Sequence, residues 1–155
     1  TSFLKYELGN YARVQNFMTT FYLASKYLDF AVFIKKELRP QIIALANLYF
    51  DEARIYLEQE KTENSLALLQ RFDLFKIKEE LILNNPRKAL RILKKLDEEN
   101  IDSINNSLFG FLNYTTFMLL NKKESAALWK DKVSSLDMKI TVIILDNTLK
   151  SGNHN

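Results

Sequence analysis

The stretch Gln41-Ile-Ile-Ala-Leu-Ala-Asn-Leu-Tyr-Phe50, continuing as Asp51-Glu-Ala-Arg-Ile-Tyr-Leu57, decides the class of fold. Ile42, Leu45, Ala46, Tyr49, Phe50, Ala53, Tyr56 and Leu57 fall at i, i+3, i+4, i+7, i+8, i+11, i+14 and i+15, one apolar stripe at the helical period. That spacing excludes a strand. A polar turn across Gln59 to Asn64 leads into a second helix, Ser65 to Phe72, and the pair repeats as Leu74 to Leu83 followed by Pro86 to Leu96. Residues 41–96 therefore read as two consecutive antiparallel helix pairs. One hairpin cannot hide both faces of its helices, so the pattern predicts a stack of such units.

Outward from this stretch the helical signals continue. On the N-terminal side, Ser2 can cap a helix carrying Phe3, Leu4, Leu8, Tyr11, Ala12 and Phe17, and Gly9 is expected to kink it, since glycine costs about 1 kcal/mol against alanine in a helix interior. The pattern runs to Ser25, after which Leu28, Ala31, Ile34 and Leu38 define a new apolar face that ends at Pro40. Pro40 suits the first turn of the next helix, where its missing N–H removes no intrahelical bond. On the C-terminal side, Asn85 as cap and Pro86 at the first helical position are the clearest local start signal. That helix ends in Lys94 and Lys95, and Asp102 or Ser103 is placed to cap a helix reaching Leu120. Asn121 and Glu124 have the form of a capping box, and Ser134 can open a last helix through Ile140, Ile143, Ile144 and Leu149. The β-branched run 140–144 has strand propensity, but no second strand candidate exists to pair with it, so a terminal helix covering the open end of the stack is expected. The expectation is one domain over residues 1–150 and a disordered tail at 151–155.

Composition agrees. The chain has 155 residues, 47% of them apolar, enough to bury a core without metals or disulfides. Three glycines, two prolines and no cysteine favour helices with short links over a sandwich or barrel, and exclude a disulfide scaffold or thiolate metal site. The net charge of +3 arises from interspersed signs, weak support for a nucleic-acid partner. No apolar run is long enough to span a bilayer. A chain that opens on Thr1 is expected to be a piece of a longer protein, with a leader, lipid anchor or partner domain upstream. The Lys-, Asn- and Ile-rich composition points to an AT-rich, bacterial source. The compartment stays unknown, with the cell envelope or periplasm expected ahead of the cytoplasm.

The small-then-apolar openings at Ala31, Ser65, Ala89 and Ser125 recur at spacings of 34, 24 and 36 residues. With Ala53-Arg-Ile-Tyr56 and Asn85-Pro-Arg-Lys-Ala89-Leu-Arg-Ile-Leu93, this resembles the tetratricopeptide-repeat family over residues 11–134. The repeats are degenerate: Trp129 falls in a second helix, and Thr19, Ala53, Ile77 and Asn113 stand where the first helices would carry glycine. The resemblance implies an all-α, right-handed superhelix of stacked hairpins with a C-terminal capping helix, and a concave groove that holds a partner peptide. Its groove positions carry over to Asn16, Thr20, Asn47, Phe50, Arg54, Glu58, Lys78, Tyr114 and Met118. Donors beside aromatic surface suit a peptide backbone and an acidic side chain. Asp51 and Phe75 replace donors that a clamp for chaperone C-termini needs, so that version is not expected.

Catalysis finds little support. The single histidine is His154, in the tail, which removes a histidine triad, general base or metal cluster. There is no phosphate-cradling glycine loop and no nucleophile elbow, and no cofactor is expected. The acidic pairs Asp51-Glu52, Glu79-Glu80 and Asp97-Glu98-Glu99 are neighbours in sequence and diverge by about 100° on a helix. Arg87, Lys88, Arg91, Lys94 and Lys95 make a basic face without interleaved aromatics, better read as solvated surface than as a phosphate track. Phe33 points away from the Leu28/Ala31 face, and with Phe17, Phe21, Tyr22, Tyr27 and Phe30 it defines an aromatic N-terminal patch suited to a partner or a homodimer. The sequence thus reads as a non-catalytic protein–protein interaction module, a scaffold that binds or stabilises another protein. Its alternatives are a self-associating helical bundle of a bacterial surface protein and a hydrolase working through two converging carboxylates.

Overall fold

A computed structural model of the chain describes residues 2–59 and 63–150, with side chains described from 15 to 59 and from 64 to 148. The expected tail at 151–155 with His154, the link at 60–62, and the side chains expected to form the first apolar stripe from Phe3 to Ala12 lie outside those residues. The described residues form seven α-helices and no strand: α1 (Ser2–Phe33), α2 (Arg39–Glu58), α3 (Glu63–Ile82), α4 (Pro86–Lys94), α5 (Asn106–Leu119), α6 (Lys123–Ala127) and α7 (Ser135–Lys150). Short 3-10 turns bridge α1 to α2, α4 to α5 and α6 to α7. The expectation of an all-α chain holds, and the β-branched run 140–144 is helical.

Two expected boundaries are absent. Helices 65–72 and 74–83 are one continuous helix of 20 residues, α3. Asp73 reads as a polar gap in the sequence, but it sits on the outer face of α3 and pairs with Arg54 of α2 at 3.4 Å, while Phe72 and Leu74 on either side are buried. α1 likewise runs unbroken through Gly9 and past Ser25, because neither residue carries the steric block of a proline. The stretch 41–96 is therefore three helices, with α3 packed on α2 before it and α4 after it.

Helix ends follow recognisable chemistry. Pro40 stands in the first turn of α2 and Pro86 opens α4, both as expected. The Asn85 side chain does not cap: its amide donates to Glu80 Oε2 at 3.0 Å. Asn121 does not form the expected capping box either. It takes φ 59° at the end of α5, as Asn84 takes φ 62° at the end of α3. Asparagine tolerates this left-handed conformation better than most residues and here fills the helix-stopping role usual for glycine. Asp102 accepts from Ile104 N–H ahead of α5, and Ser134 Oγ accepts from Asp137 N–H at the start of α7.

The core joins Leu28, Ala31 and Val32 of α1, Ala46, Phe50 and Ala53 of α2, Phe72, Leu74, Ile77 and Leu81 of α3, Phe111 and Leu112 of α5, and Ile140 and Ile144 of α7. α5 is the central helix, packed on α3, α4, α6 and α7, and its near-continuous apolarity reflects that position. A Cβ on Gly110 would stand 2.7 Å from Lys132 Cβ, so glycine is what lets the turn before α7 approach α5 so closely. Trp129 packs edge-on against Phe109, ring centroids 5.3 Å apart. α7 returns to α1: the Asn147 amide donates to Val32 O at 2.9 Å. First and last helices are in contact, whereas units of an open solenoid touch only their neighbours.

Candidate functional site

Three features compete for the functional surface: the polar seam between α2 and α3, the buried charge cluster around Lys78, and the outer face of α1. The seam holds two of the expected groove residues. Asn47 donates from Nδ2 to Glu79 Oε2 at 3.3 Å and accepts at Oδ1 from Lys76 Nζ at 2.6 Å. Arg54 reaches Asp73 and lies over the Phe72 ring, its guanidinium carbon 5.3 Å from the centroid. Their donors serve contacts between α2 and α3.

Three other groove candidates are interior. Phe50 is the hub of an aromatic cluster with Phe21, Phe72 and Phe75, centroids 5.1–5.9 Å apart. Thr20 is buried on α1. Lys78, 5% exposed, places Nζ 2.7 Å from Asp29 Oδ1 and lies over the rings of Phe75 and Phe111. Burial of these three follows from α1 packing along α2 and from α3 lying against α1, α2 and α5, where an open superhelix would leave its first helices lining a trough. Tyr114 and Met118 are half-buried on α5, and Asn16 and Glu58 are exposed on α1 and α2. Of the nine positions, Thr20, Phe50 and Lys78 are buried, Asn47 and Arg54 bind side chains of α3, and the other four are exposed or half-buried.

Burial pushes the Glu79 carboxyl above the ordinary carboxylate value, opposed by Lys76 and the Asn47 amide and reinforced by Glu80 and Asp51. Its Oε1 has no hydrogen-bond partner and lies 3.9 Å from Lys76 Nζ. A carboxyl whose folded-state pKa is raised contributes stability that is complete below its unfolded pKa and is lost as pH rises through the folded value. Glu79→Gln is therefore expected to equal the wild type in acid and to exceed it increasingly toward neutral pH. Urea unfolding at several pH values measures this, and a difference that does not change with pH contradicts it.

Among the described residues no group of acidic or histidine side chains is arranged to hold a metal, and no helix is long and apolar enough to cross a membrane. Asp51 and the Glu79-Glu80 pair are near enough to act on one another electrostatically. The basic residues Arg87, Lys88, Arg91 and Lys94 of α4, and Lys95 just after it, are exposed, and Lys88 pairs with Glu80 at 3.2 Å.

The outer face of α1 differs from the rest of the surface. Met18, Tyr22, Phe30 and Phe33 are each more than half exposed and fall on one helical stripe, interrupted by Lys26. Leu48 and Ile55 are exposed on the neighbouring α2, at 67% and 60%. Of the aromatic patch read from the sequence, Tyr22, Phe30 and Phe33 face solvent, whereas Phe17, Phe21 and Tyr27 turn inward, Tyr27 stacking on Tyr49. Leu48 and Ile55 were missed by sequence reasoning. The signal lay in the stripe itself, since both fall between the residues assigned to the core face of α2. No family model, no curated protein and no solved structure matches this chain.

Proposed function

We propose that this domain is a non-catalytic protein-interaction module, a degenerate tetratricopeptide-like set of helix hairpins closed by α7, whose contact surface is the outer face of α1 rather than a concave groove. The observation that carries the reading is the exposed ridge of Met18, Tyr22, Phe30 and Phe33. Large apolar side chains scattered singly need no explanation, but a row of them along one helix marks a surface that another molecule covers. The occupant is an amphipathic helix of another protein, laid along α1 with its apolar stripe inward, a mode in which anchors spaced by helical turns supply most of the affinity.

Capture of the partner by the immobilised domain is expected to fall roughly tenfold or more with Phe33→Asp or Phe30→Asp. It is expected to survive Asn47→Ala and Arg54→Ala, whose donors serve the α2–α3 seam. Loss with the seam variants and retention with the ridge variants returns the contact to the groove. A second reading, that the ridge covers its counterpart on another copy, follows from the same exposed apolar row, since a two-fold pairing buries identical ridges against each other. Light scattering separates the readings: a dimer that Phe33→Asp converts to monomer identifies the second copy, and a monomer in both identifies a different partner.

A further inference from the structure

A cavity of about 150 Å³ lies where the α1–α2 turn, the end of α3 and the last turns of α7 meet. It stands apart from the α1 ridge. Its floor is apolar, with Val32, Leu81 and Ile144, each almost fully buried. Its polar wall carries two cations, Lys36 and Arg39, and no carboxylate. Neither cation forms an ion pair among the described residues, and Arg39 Nε is cut off from solvent without a hydrogen-bond partner. An unsatisfied buried donor in a folded protein calls for a physical reason, and a site for an anion supplies one.

The helix ends beside the cavity do not supply that reason. At the end of α3, the carbonyls of Glu79, Glu80 and Leu81 already accept from the backbone N–H groups of Leu83, Asn85 and Asn84 at 2.7–3.1 Å. The Val32 carbonyl is taken by Asn147. The start of α2 sets the positive end of a 20-residue helix, whose N-cap Leu38 offers no side-chain acceptor, against the negative ends of α1 and α3, so the attraction for an anion falls to the Lys36 and Arg39 side chains. We propose that this cavity binds a small oxyanion, a phosphate or a short-chain carboxylate, held by the Arg39 guanidinium and the Lys36 ammonium over an apolar floor.

The volume suits such a ligand: a cavity of about this size holds a molecule of benzene's dimensions, so a phosphate or a short-chain carboxylate fits and a nucleotide does not. The planar guanidinium fork matches the paired oxygens of either anion, and the apolar floor weakens the screening of the attraction. An anion seated there joins the α1–α2 turn to α7, so occupancy stabilises the closed arrangement by mass action.

The test is thermal unfolding of the wild type with inorganic phosphate and, separately, acetate, each against sodium chloride of equal ionic strength. The expected result is a saturable rise in melting temperature with one or both anions beyond that with chloride. The anion saturating at lower concentration identifies the ligand class. The apparent affinity is expected to fall about tenfold or more in Arg39→Gln and in Lys36→Gln, the loss of one charge-assisted contact, and to be unchanged in Arg87→Gln on the exposed face of α4. Should Arg39→Gln fold poorly, Lys36→Gln and the wild-type side-chain amide resonances of Asn84 and Asn147 read binding independently. Responses equal to chloride, or equal affinity in wild type and both cavity variants, overturn the proposal.

Discussion

Asn105→Ala is expected to lower the unfolding free energy by about 3 kcal/mol, the sum of a lost buried hydrogen-bond set and the desolvated partners left behind. Asn105 is completely buried in the turn ahead of α5. Its amide donates to Ala67 O and to Gln70 Oε1, each at 2.9 Å, and its Oδ1 accepts from Arg71 Nε at 2.9 Å. Gln70 in turn donates to Asn100 O and accepts from Asp102 N–H, and Arg71 Nη2 donates to Ile104 O. The irregular segment between α4 and α5 has little apolar surface of its own, and these bonds hold it against α3. Burial lowers the pKa of Arg71, and the oxygen atoms around it compensate the cost of desolvating its charge. Alanine at 105 leaves Arg71 Nε without its acceptor and takes one donor each from Ala67 O and from Gln70 Oε1, which keeps Asp102 N–H. Asn105→Asp retains the contact to Arg71 but turns an acceptor toward Ala67 O and Gln70 Oε1, so it is not expected to restore stability. Urea unfolding measures both variants; a loss under about 1 kcal/mol for Asn105→Ala contradicts the arrangement.

That network also shows where sequence reading stops. The class of fold and the burial of Ala46, Phe50, Ala53 and Leu57 were legible because α2 repeats its apolar residues at the helical period. The starts at Pro40 and Pro86 were legible because proline's fixed φ acts locally. The unity of α3 was not: the partner that makes Asp73 an outward-facing member of a longer helix is Arg54, on another helix. Asn121 reads equally well as a cap or as a left-handed stop, and the backbone geometry that chooses between them depends on how α5 meets α6. The groove positions were assigned on a related footing. Positions such as Thr20 and Phe50 follow from hairpins stacked in an open row, and nothing in a local window reveals that α7 folds back onto α1. The exposed ridge was half visible, since Phe33 lies opposite Leu28 and Ala31 on any helix through them.

Lys78→Met is expected to destabilise the protein by about 2–4 kcal/mol at neutral pH. The tetratricopeptide resemblance carried Lys78 over to a groove position; the partner that lets it be buried is Asp29, 49 residues away. Methionine nearly matches the stem of lysine, so the packing beside Phe75 and Phe111 is largely kept and the variant isolates the charge. Asp29, with 31% of its side chain exposed, retains some water when its partner is removed, which keeps the expected loss below that of a fully enclosed pair. Asp137 on α7 is the second carboxylate that depends on Lys78. Burial raises its pKa, Lys78 and the Ser134 hydroxyl oppose the rise, and Asp29 adds to it. Without the ammonium the folded-state pKa of Asp137 moves further above its unfolded value. The stability tied to this group is then present in acid and lost across a wider interval as pH rises. The deficit of Lys78→Met relative to wild type is therefore expected to be largest near neutrality and to shrink on acidification toward the unfolded carboxylate range. Combining it with Asp29→Asn is expected to recover part of the loss, because a buried pair removed together strands no charge. Unfolding free energies of the single and double variants at several pH values decide this. A deficit that stays constant with pH, or that the second substitution deepens, shows that Lys78 acts through its hydrocarbon stem and not through its charge.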